Sequence, residues 1–224
     1  MNFLEIAVSL PIGVLGGYGA VAVLNRLPAG WLCDYGQAPS EELKSGARRV
    51  KYLPWAVIFS VVFAFAAAVI LSANGYLYSA VSLFSLWFLM VIALADMKYM
   101  IIPDQFIALL ALAALGLLPY HASLLSPLYG LLIGGGCMLL IGFAGKLIYK
   151  KESLGFGDVK LFAALGLLAG PMGVLMLIVV SSLLSAAVFT VGLLLKKIKR
   201  TDVVPIGPYA ALAYFLHELF KSTI

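Results

Sequence analysis

The sequence predicts an all-α protein: a polytopic bundle of about eight transmembrane helices in one membrane-embedded domain that covers residues 1–224. Hydrophobic residues make up 63% of the chain and charged residues 11%, whereas soluble domains average about 45–50% apolar and about 25% charged. The apolar residues form runs close to the length of about 20 that crosses the hydrocarbon of a bilayer. No long polar linker divides these runs, so a single domain is the simplest organisation.

The order of the apolar runs predicts the individual helices. We expect them near residues 2–24, 53–73, 76–95, 104–119, 124–148, 158–170, 172–195 and 204–220. The first run has no basic residue ahead of it, so we expect a retained span rather than a cleaved signal peptide. Asn74-Gly75 predicts a tight turn between two helices. The glycine-rich runs at 13–17 and 134–136 predict close helix packing.

The helix after residue 158 is expected to be too short to span a bilayer alone. Residues 159–170 would form about 18 Å of helix, against about 30 Å of hydrocarbon. We therefore expect the glycine-containing turn before this helix to lie below the headgroups, where unwound backbone is tolerated if it lines a wet cavity.

The positions of Lys and Arg predict the orientation. If the N-terminus lies outside, 14 of the 15 basic residues fall on the inner face, and both termini lie outside. This distribution explains the net charge of +5 as a topology signal, so we expect a lipid bilayer and no nucleic acid as a partner. The inner residues are Arg26, Lys44, Arg48, Arg49, Lys51, Lys98, Lys146, Lys150, Lys151, Lys160, Lys196, Lys197, Lys199 and Arg200, and the outer one is Lys221.

The longest polar stretch, residues 25–52, is predicted to be a cytosolic loop in which a short helix starts at Ser40. We expect it to be a solvated connector. It contains Cys33, and Cys137 lies far away in a glycine-rich helix. Two distant cysteines form neither a CxxC pair nor a tetrahedral zinc site. We therefore interpret both as unpaired structural thiols and predict no metal ligands and no cofactor.

Two aspartates are the candidate catalytic residues. Asp96 directly follows an apolar run, and Asp158 starts a helix after Gly155-Phe156-Gly157. Two carboxylates close together in a low-dielectric site share one proton and titrate as a unit. Such a pair contains a carboxylate that activates water and an acid that protonates a scissile carbonyl, as peptide hydrolysis requires. Glycines beside Asp158 would allow a substrate backbone to approach and would permit a positive φ.

Structural interpretations of the same residues remain open. Asp158 could be a helix N-cap, and Asp96 could be a boundary charge near Lys98. For Asp104, which follows Pro103, we prefer a role in the first turn of a helix. Two other function classes are also open: a small proton-coupled transporter, whose carboxylates would relay protons, and a non-catalytic subunit of a secretion system.

Several ordered motifs resemble the bacterial prepilin peptidases of the Gly-x-Gly-Asp membrane aspartyl protease class. They are Asn25-Arg26-Leu27-Pro28, Asp96-Met97-Lys98-Tyr99-Met100-Ile101-Ile102-Pro103-Asp104, Glu152-Ser153-Leu154-Gly155-Phe156-Gly157-Asp158-Val159-Lys160 and Val204-Pro205-Ile206-Gly207-Pro208-Tyr209. The resemblance implies that Asp96 and Asp158 are the catalytic pair and that Gly155 and Gly157 are the signature glycines. Glu152 and Lys160 match flanking polar positions, for which we expect an ion pair that steadies the turn.

The resemblance also implies a function. Prepilin peptidases are multi-pass proteins of the bacterial inner membrane that remove the leader of type IV prepilins and pseudopilins at the cytosolic face. The substrate helix is expected to dock laterally near Asp96 and Asp158. The chain departs from many members of the family, which carry paired CxxC motifs in the first cytosolic loop. Residues 25–52 contain Cys33 alone, so neither zinc nor N-methyltransferase activity is carried over.

Overall fold

The computed structural model describes residues 3–33, 36–44, 49–150, 154–199 and 202–223. Within these ranges the chain is helical and contains no strand, which confirms the all-α prediction. The α-helices are α1 (Phe3–Arg26), α2 (Glu41–Lys44), α3 (Trp55–Ala73), α4 (Tyr76–Tyr99), α5 (Asp104–Ala114), α6 (Ser126–Tyr149), α7 (Phe156–Leu194) and α8 (Gly207–Thr223). Two 3-10 helices, Ala29–Leu32 and Leu115–Tyr120, follow α1 and α5.

Helix α4 is the centre of the bundle. Its apolar stretch is 72% buried, against 33% or less in each of the other long apolar helices. It packs against α1, α3, α5 and α8, while α6 packs against α7. The outer face of α6 exposes large apolar side chains such as Leu140 and Phe143. In a membrane protein such a face is the one that lipid covers.

Helix α7 reverses direction at Gly170. This residue has φ 71° and ψ −176°, and the following Pro171 disfavours a helical conformation at the residue before it. A Cβ placed on Gly134 of α6 would meet both the Phe162 carbonyl oxygen and, at 2.8 Å, the Val174 Cγ2. In a straight helix these two residues would lie about 18 Å apart. Residues 156–169 and 171–194 therefore form a helical hairpin against α6.

Helices α4 and α8 run antiparallel and are joined near both ends. At one end the Gly207 N–H donates to Asp96 Oδ2 at 2.7 Å. At the other end the Tyr78 hydroxyl donates to Glu218 Oε2 at 2.9 Å, and the Lys221 Nζ lies 4.6 Å from the Tyr78 ring centroid. The bundle thus has two distinct ends, one with Asp96 and one with Lys221.

The long polar loop after α1 is closed at its base by Asn25. The Asn25 side chain donates to the Val50 carbonyl at 3.0 Å and accepts the Val50 N–H at 2.9 Å. Arg49 donates to the Leu24 carbonyl at 2.8 Å. Within the loop, α2 begins one residue after Ser40, which confirms the predicted short helix.

The glycine-rich runs pack as predicted. Gly13, Gly16 and Gly17 of α1 each lie so close to α3 that a Cβ would collide with it. On α6, Gly130 and Gly134 lie against the backbone of α7, whereas Gly136 has open space around it. These glycines allow the helix pairs to approach at backbone distance.

The predicted helices all occur, but α4 ends later than predicted, and the predicted number of spans is not confirmed. Helix α4 continues to Tyr99, so Asp96 lies inside its last turn rather than after it, because the helix ends only where Met100 adopts φ 55°. Among the described residues, five helices are long and apolar enough to cross a membrane, namely α1, α3, α4, α6 and α7. The hairpin counts once among these, and α8 has only 17 residues, so the number of about eight spans stays a prediction.

Candidate active site

A cavity of about 460 Å³ opens at the Asp96 end of the bundle. Three separate segments of the chain line it. They are the first loop, through Gly30, Trp31, Cys33, Gly36, Gln37 and Pro39, then Asp96 with the stretch from Met100 to Gln105, and the start of α7 from Gly155 to Lys160. The two predicted catalytic residues, Asp96 and Asp158, are 62 residues apart in the sequence and both line this cavity.

Asp96 is held by the start of α8. Its side chain is part of the buried core, with the residue only 5% exposed, and Oδ2 accepts the Gly207 N–H. A Cβ on Gly207 would lie 2.8 Å from this oxygen and 3.0 Å from the Asp96 Cβ, so only glycine allows the contact. A hydrogen bond from a backbone N–H to a carboxylate is charge-assisted and fixes the orientation of the group.

Asp158 lies in the first turn of α7 and is half-buried. Its Oδ2 accepts the Gly155 N–H at 3.2 Å, as a residue at the third helical position does in a capping box. The helix begins at Phe156 and its N-cap is Gly155, so the interpretation of Asp158 as the N-cap is wrong: Asp158 is the third residue of the helix. The hydrogen bond leaves the other oxygen, Oδ1, outside the cap.

The two signature glycines act through close approach and not through backbone conformation. Gly155 has φ −71°, and Gly157 is helical, so the predicted use of a positive φ is wrong. A Cβ on Gly157 would lie 3.3 Å from the Ile102 Cβ, and one on Gly155 would lie 3.3 Å from Asp158 Oδ2. The start of α7 therefore packs tightly against the segment before α5.

Lys160 forms an ion pair with Asp104 on the wall of the cavity. Its Nζ lies 2.9 Å from Oδ1 and 2.8 Å from Oδ2 of Asp104, so the contact is bidentate. Asp104 is in the first turn of α5, as predicted. Its ion pair with Lys160 was not predicted. The other flanking residue of the prediction, Glu152, lies outside the described residues.

Two groups of site residues were missed by sequence reasoning. The first loop was expected to be a solvated connector, yet Gly30, Trp31 and Gln37 line the cavity. Gly207 was part of a quoted motif, but its contact with Asp96 joins residues 111 positions apart. The loop residues could not be found, because a loop that packs against a distant turn leaves no periodic signal in the sequence. Gly207 did have a signal, since the prolines of Pro205-Ile206-Gly207-Pro208 indicate a constrained backbone.

The cavity offers acid–base chemistry at two carboxylates. The two side chains line the same cavity, and each already accepts one backbone N–H. A pair of this kind can hold one proton and one negative charge and can therefore polarise a carbonyl and activate a water molecule. Within the described ranges, no three His, Cys, Asp or Glu side chains are grouped as ligands for a metal ion.

Known proteins match the part of the chain that contains the cavity residues Asp96 and Asp158. The type IV leader peptidase family model matches residues 83–191, which include Asp96 and the segment from Gly155 to Lys160. Prepilin leader peptidase/N-methyltransferases of Stutzerimonas stutzeri and Pseudomonas aeruginosa are each 32% identical over 142 residues, 62% of this chain and 48% of the relative. Leader peptidase HopD of Salmonella typhimurium is 33% identical over 135 residues, 58% of this chain and 85% of HopD. The chain belongs to the type IV leader peptidase family.

This family member spans about half the length of the curated prepilin leader peptidase/N-methyltransferases that it matches and most of the length of HopD. No solved structure matches it. With five apolar helices of spanning length in the part of the chain that the structure describes, this leader peptidase family member is a multi-pass membrane protein. The family match and the cavity coincide at Asp96 and at the start of α7.

Proposed function

We propose that this protein is a membrane aspartyl endopeptidase that removes the leader of type IV prepilins and related pseudopilins, with Asp96 and Asp158 as its catalytic pair. The activity belongs to one membrane-embedded domain in the bacterial inner membrane, and the cavity faces the cytosol. The family and the names of the relatives support the substrate class.

One observation carries the assignment of the catalytic pair. Asp96 at the end of α4 and Asp158 at the start of α7 are far apart in the sequence and line a single cavity. Burying a carboxylate is costly unless it has a function or a partner. Asp96 is buried with a backbone N–H as its hydrogen-bond partner, which orients the carboxylate and keeps it in place.

The proposed reaction is the attack of water on the peptide carbonyl without a covalent intermediate. The ionised member of the pair takes a proton from the attacking water while the protonated member donates its proton to the carbonyl oxygen. As the tetrahedral intermediate collapses, the first member passes the proton from water to the leaving amine, and the second member takes its proton back from the hydroxyl of the intermediate. Because one proton must be present and one absent, we expect a bell-shaped dependence of the cleavage rate on pH. The rate falls in acid when both groups are protonated and in alkali when both are ionised.

The cytosolic placement rests on charge. The cavity end of the bundle carries Lys98 and Lys160, while Lys221 lies at the opposite end beside Tyr78. An excess of Lys and Arg marks the cytosolic side of short loops in membrane proteins. The leader of the substrate would therefore be cut where it emerges from the membrane on that side.

The test is cleavage of a purified prepilin in detergent by purified wild type, Asp96→Asn and Asp158→Asn, with the products identified by mass spectrometry. We expect each substitution to reduce the rate by about 10²–10⁴-fold or more, because acid–base catalysis contributes about that factor. Asp202→Asn is the matched control, since Asp202 is exposed and lies outside the cavity. We expect it to retain full activity.

Equal accumulation in the membrane and an unchanged elution volume show that the variants are folded. Cleavage by Asp96→Asn or Asp158→Asn at the wild-type rate would refute the catalytic pair. A wild-type protein that cuts neither prepilins nor pseudopilins would refute the endopeptidase activity itself.

A further inference from the structure

The Asp104–Lys160 ion pair links the two halves of the candidate site. Both carboxylate oxygens of Asp104 lie within 2.9 Å of the Lys160 Nζ, and both side chains are about one-third exposed, at 35% and 29%. The same Nζ lies 5.2 Å from the centroid of the Phe156 ring. A partly buried bidentate contact restricts both partners more than a solvated surface pair does.

Each partner is tied to one of the two aspartates. Lys160 is two residues after Asp158 in the same helical turn of α7. Asp104 begins α5, which is joined to the end of α4, and so to Asp96, by the short segment from Met100 to Pro103. The neighbouring contact between Gly157 and Ile102 lies on the same two segments.

We propose that Asp104 and Lys160 are positioning residues: their ion pair holds the start of α5 against the start of α7 and thereby sets the position of the Asp158 carboxyl relative to Asp96. An effect of the ion pair on catalysis rests on the proposed function. Its effect on the position of Asp158 does not. Neither residue is assigned a contact with the reacting atoms.

A disulfide reporter tests the positioning without any substrate. Ile102→Cys with Gly157→Cys, in a Cys33→Ser/Cys137→Ser background, places two Cβ atoms 3.3 Å apart, near the lower end of the range of about 3.5–4.5 Å found in disulfides. We expect rapid cross-linking by a mild oxidant when the ion pair is intact. Asp104→Asn or Lys160→Met should slow it several-fold, and Lys160→Arg or the exchange Asp104→Lys/Lys160→Asp should restore it.

Lys98→Met is the matched control, because Lys98 forms a different ion pair, with Glu42, at the same end of the bundle. It should leave the cross-linking rate unchanged. If Asp104→Asn and Lys160→Met also leave the rate unchanged, the proposal is overturned. The exchange variant keeps both charges, so a failure to restore cross-linking would equally count against a pairing role.

A kinetic test measures the effect of the ion pair on catalysis. It uses the protein that keeps its natural Cys33 and Cys137 and carries no engineered cysteines. We expect Asp104→Asn and Lys160→Met to lower kcat by about 10–100-fold, as a displacement of about 1 Å can do, while KM stays similar. The exchange variant should recover most of kcat. A raised KM with unchanged kcat would instead identify Lys160 as a substrate contact and would overturn positioning. If wild type cleaves no prepilin, the proposed function fails, and the cross-linking result still decides whether the pair positions Asp158.

Discussion

The contact between Gly207 and Asp96 shows how a single missing side chain shapes the site. The Gly207 N–H reaches Asp96 Oδ2 because no Cβ stands between α8 and α4. A methyl group there would lie within 3.0 Å of two Asp96 atoms, and that is closer than real Cβ contacts come. The side chain of Asp96 would have to turn away from its hydrogen-bond donor.

We therefore predict that Gly207→Ala lowers the rate of prepilin cleavage by about 100-fold, because a displacement of about 1 Å at a reacting group costs about that factor. Gly30→Ala is the matched control. Gly30 also lines the cavity, but a Cβ there would meet nothing within 4 Å. Cleavage assays on both purified variants check this. Equal activity of the two would contradict the role of the contact.

At the residue scale, the sequence predicts the two aspartates but not their surroundings. Asp96 and Asp158 are recognisable because each adjoins an apolar segment where a carboxylate is unusual. The partner of Lys160 is not recognisable, since Asp104 lies 56 residues away and becomes adjacent only when α5 packs on α7. The structure places both aspartates on one cavity, and their catalytic roles stay a prediction.

Helices α6 and α7 approach each other through glycines that leave no room for a side chain. A Cβ on Gly130 would collide with the Gly166 carbonyl group and lie 2.9 Å from the Gly170 carbonyl carbon. These are backbone atoms, which cannot rotate aside. Gly130 therefore sets the distance from α6 to the first arm of the hairpin and to its reversal at Gly170.

We predict that Gly130→Ala destabilises the protein by about 1–3 kcal/mol, the usual cost of overpacking a tight interface. Gly136→Ala, on the same helix with nothing within 4 Å of the new Cβ, should be neutral or slightly stabilising because alanine favours helix. Thermal unfolding of both variants in the same detergent measures the difference. An equal effect of the two would contradict the packing argument.

The Tyr78–Glu218 hydrogen bond joins α4 to α8 at the end opposite the cavity. Glu218 is 2% exposed, so the loss of its donor leaves a buried carboxylate with one partner fewer. We predict that Tyr78→Phe destabilises the protein by about 1–2 kcal/mol and lowers its unfolding temperature by several degrees. Tyr76→Phe is the matched control, since Tyr76 is 89% exposed. A shift of the same size in both variants would show that this hydrogen bond contributes nothing specific.

At the element scale, apolar runs predict where the helices lie but not how they end or turn. The end of α4 depends on the left-handed backbone of Met100, which no composition rule indicates. The hairpin of α7 is more readable, because Gly170-Pro171 interrupts an otherwise continuous apolar run. Its close fit against Gly134 is tertiary and appears only in the structure.

At the scale of the whole molecule, we predict that the two ends of the bundle lie on opposite faces of the membrane, and labelling can measure this. We place Phe156→Cys, Ser40→Cys and Leu124→Cys singly in a Cys33→Ser/Cys137→Ser background and use a membrane-impermeant maleimide. Phe156 and Leu124 are both exposed, and Leu124 lies in the turn between α5 and α6. Positions 40 and 156 should be labelled only from the cytosolic side and position 124 only from the other side.

Depth should separate the two cytosolic positions. If the turn before α7 lies below the headgroups, position 156 should react more slowly than position 40, because thiolate formation and access are both reduced there. Equal rates would contradict the submerged turn. Labelling of position 156 from the side that labels position 124 would contradict the orientation.

The first loop is closed at its base by Asn25 and Val50, and its Leu32 and Leu43 side chains are buried in the core. Its base is fixed by two hydrogen bonds, and lengthening the chain inside a closed loop costs only about 0.6 kcal/mol for each doubling. Gly30, Trp31 and Gln37 of the loop form one wall of the cavity, while the bundle holds Asp96 and Asp158 on the other walls. We therefore predict that exchanging Trp31 and Gln37 for their counterparts in other family members alters the relative cleavage rates of different prepilins, with the aspartates left in place.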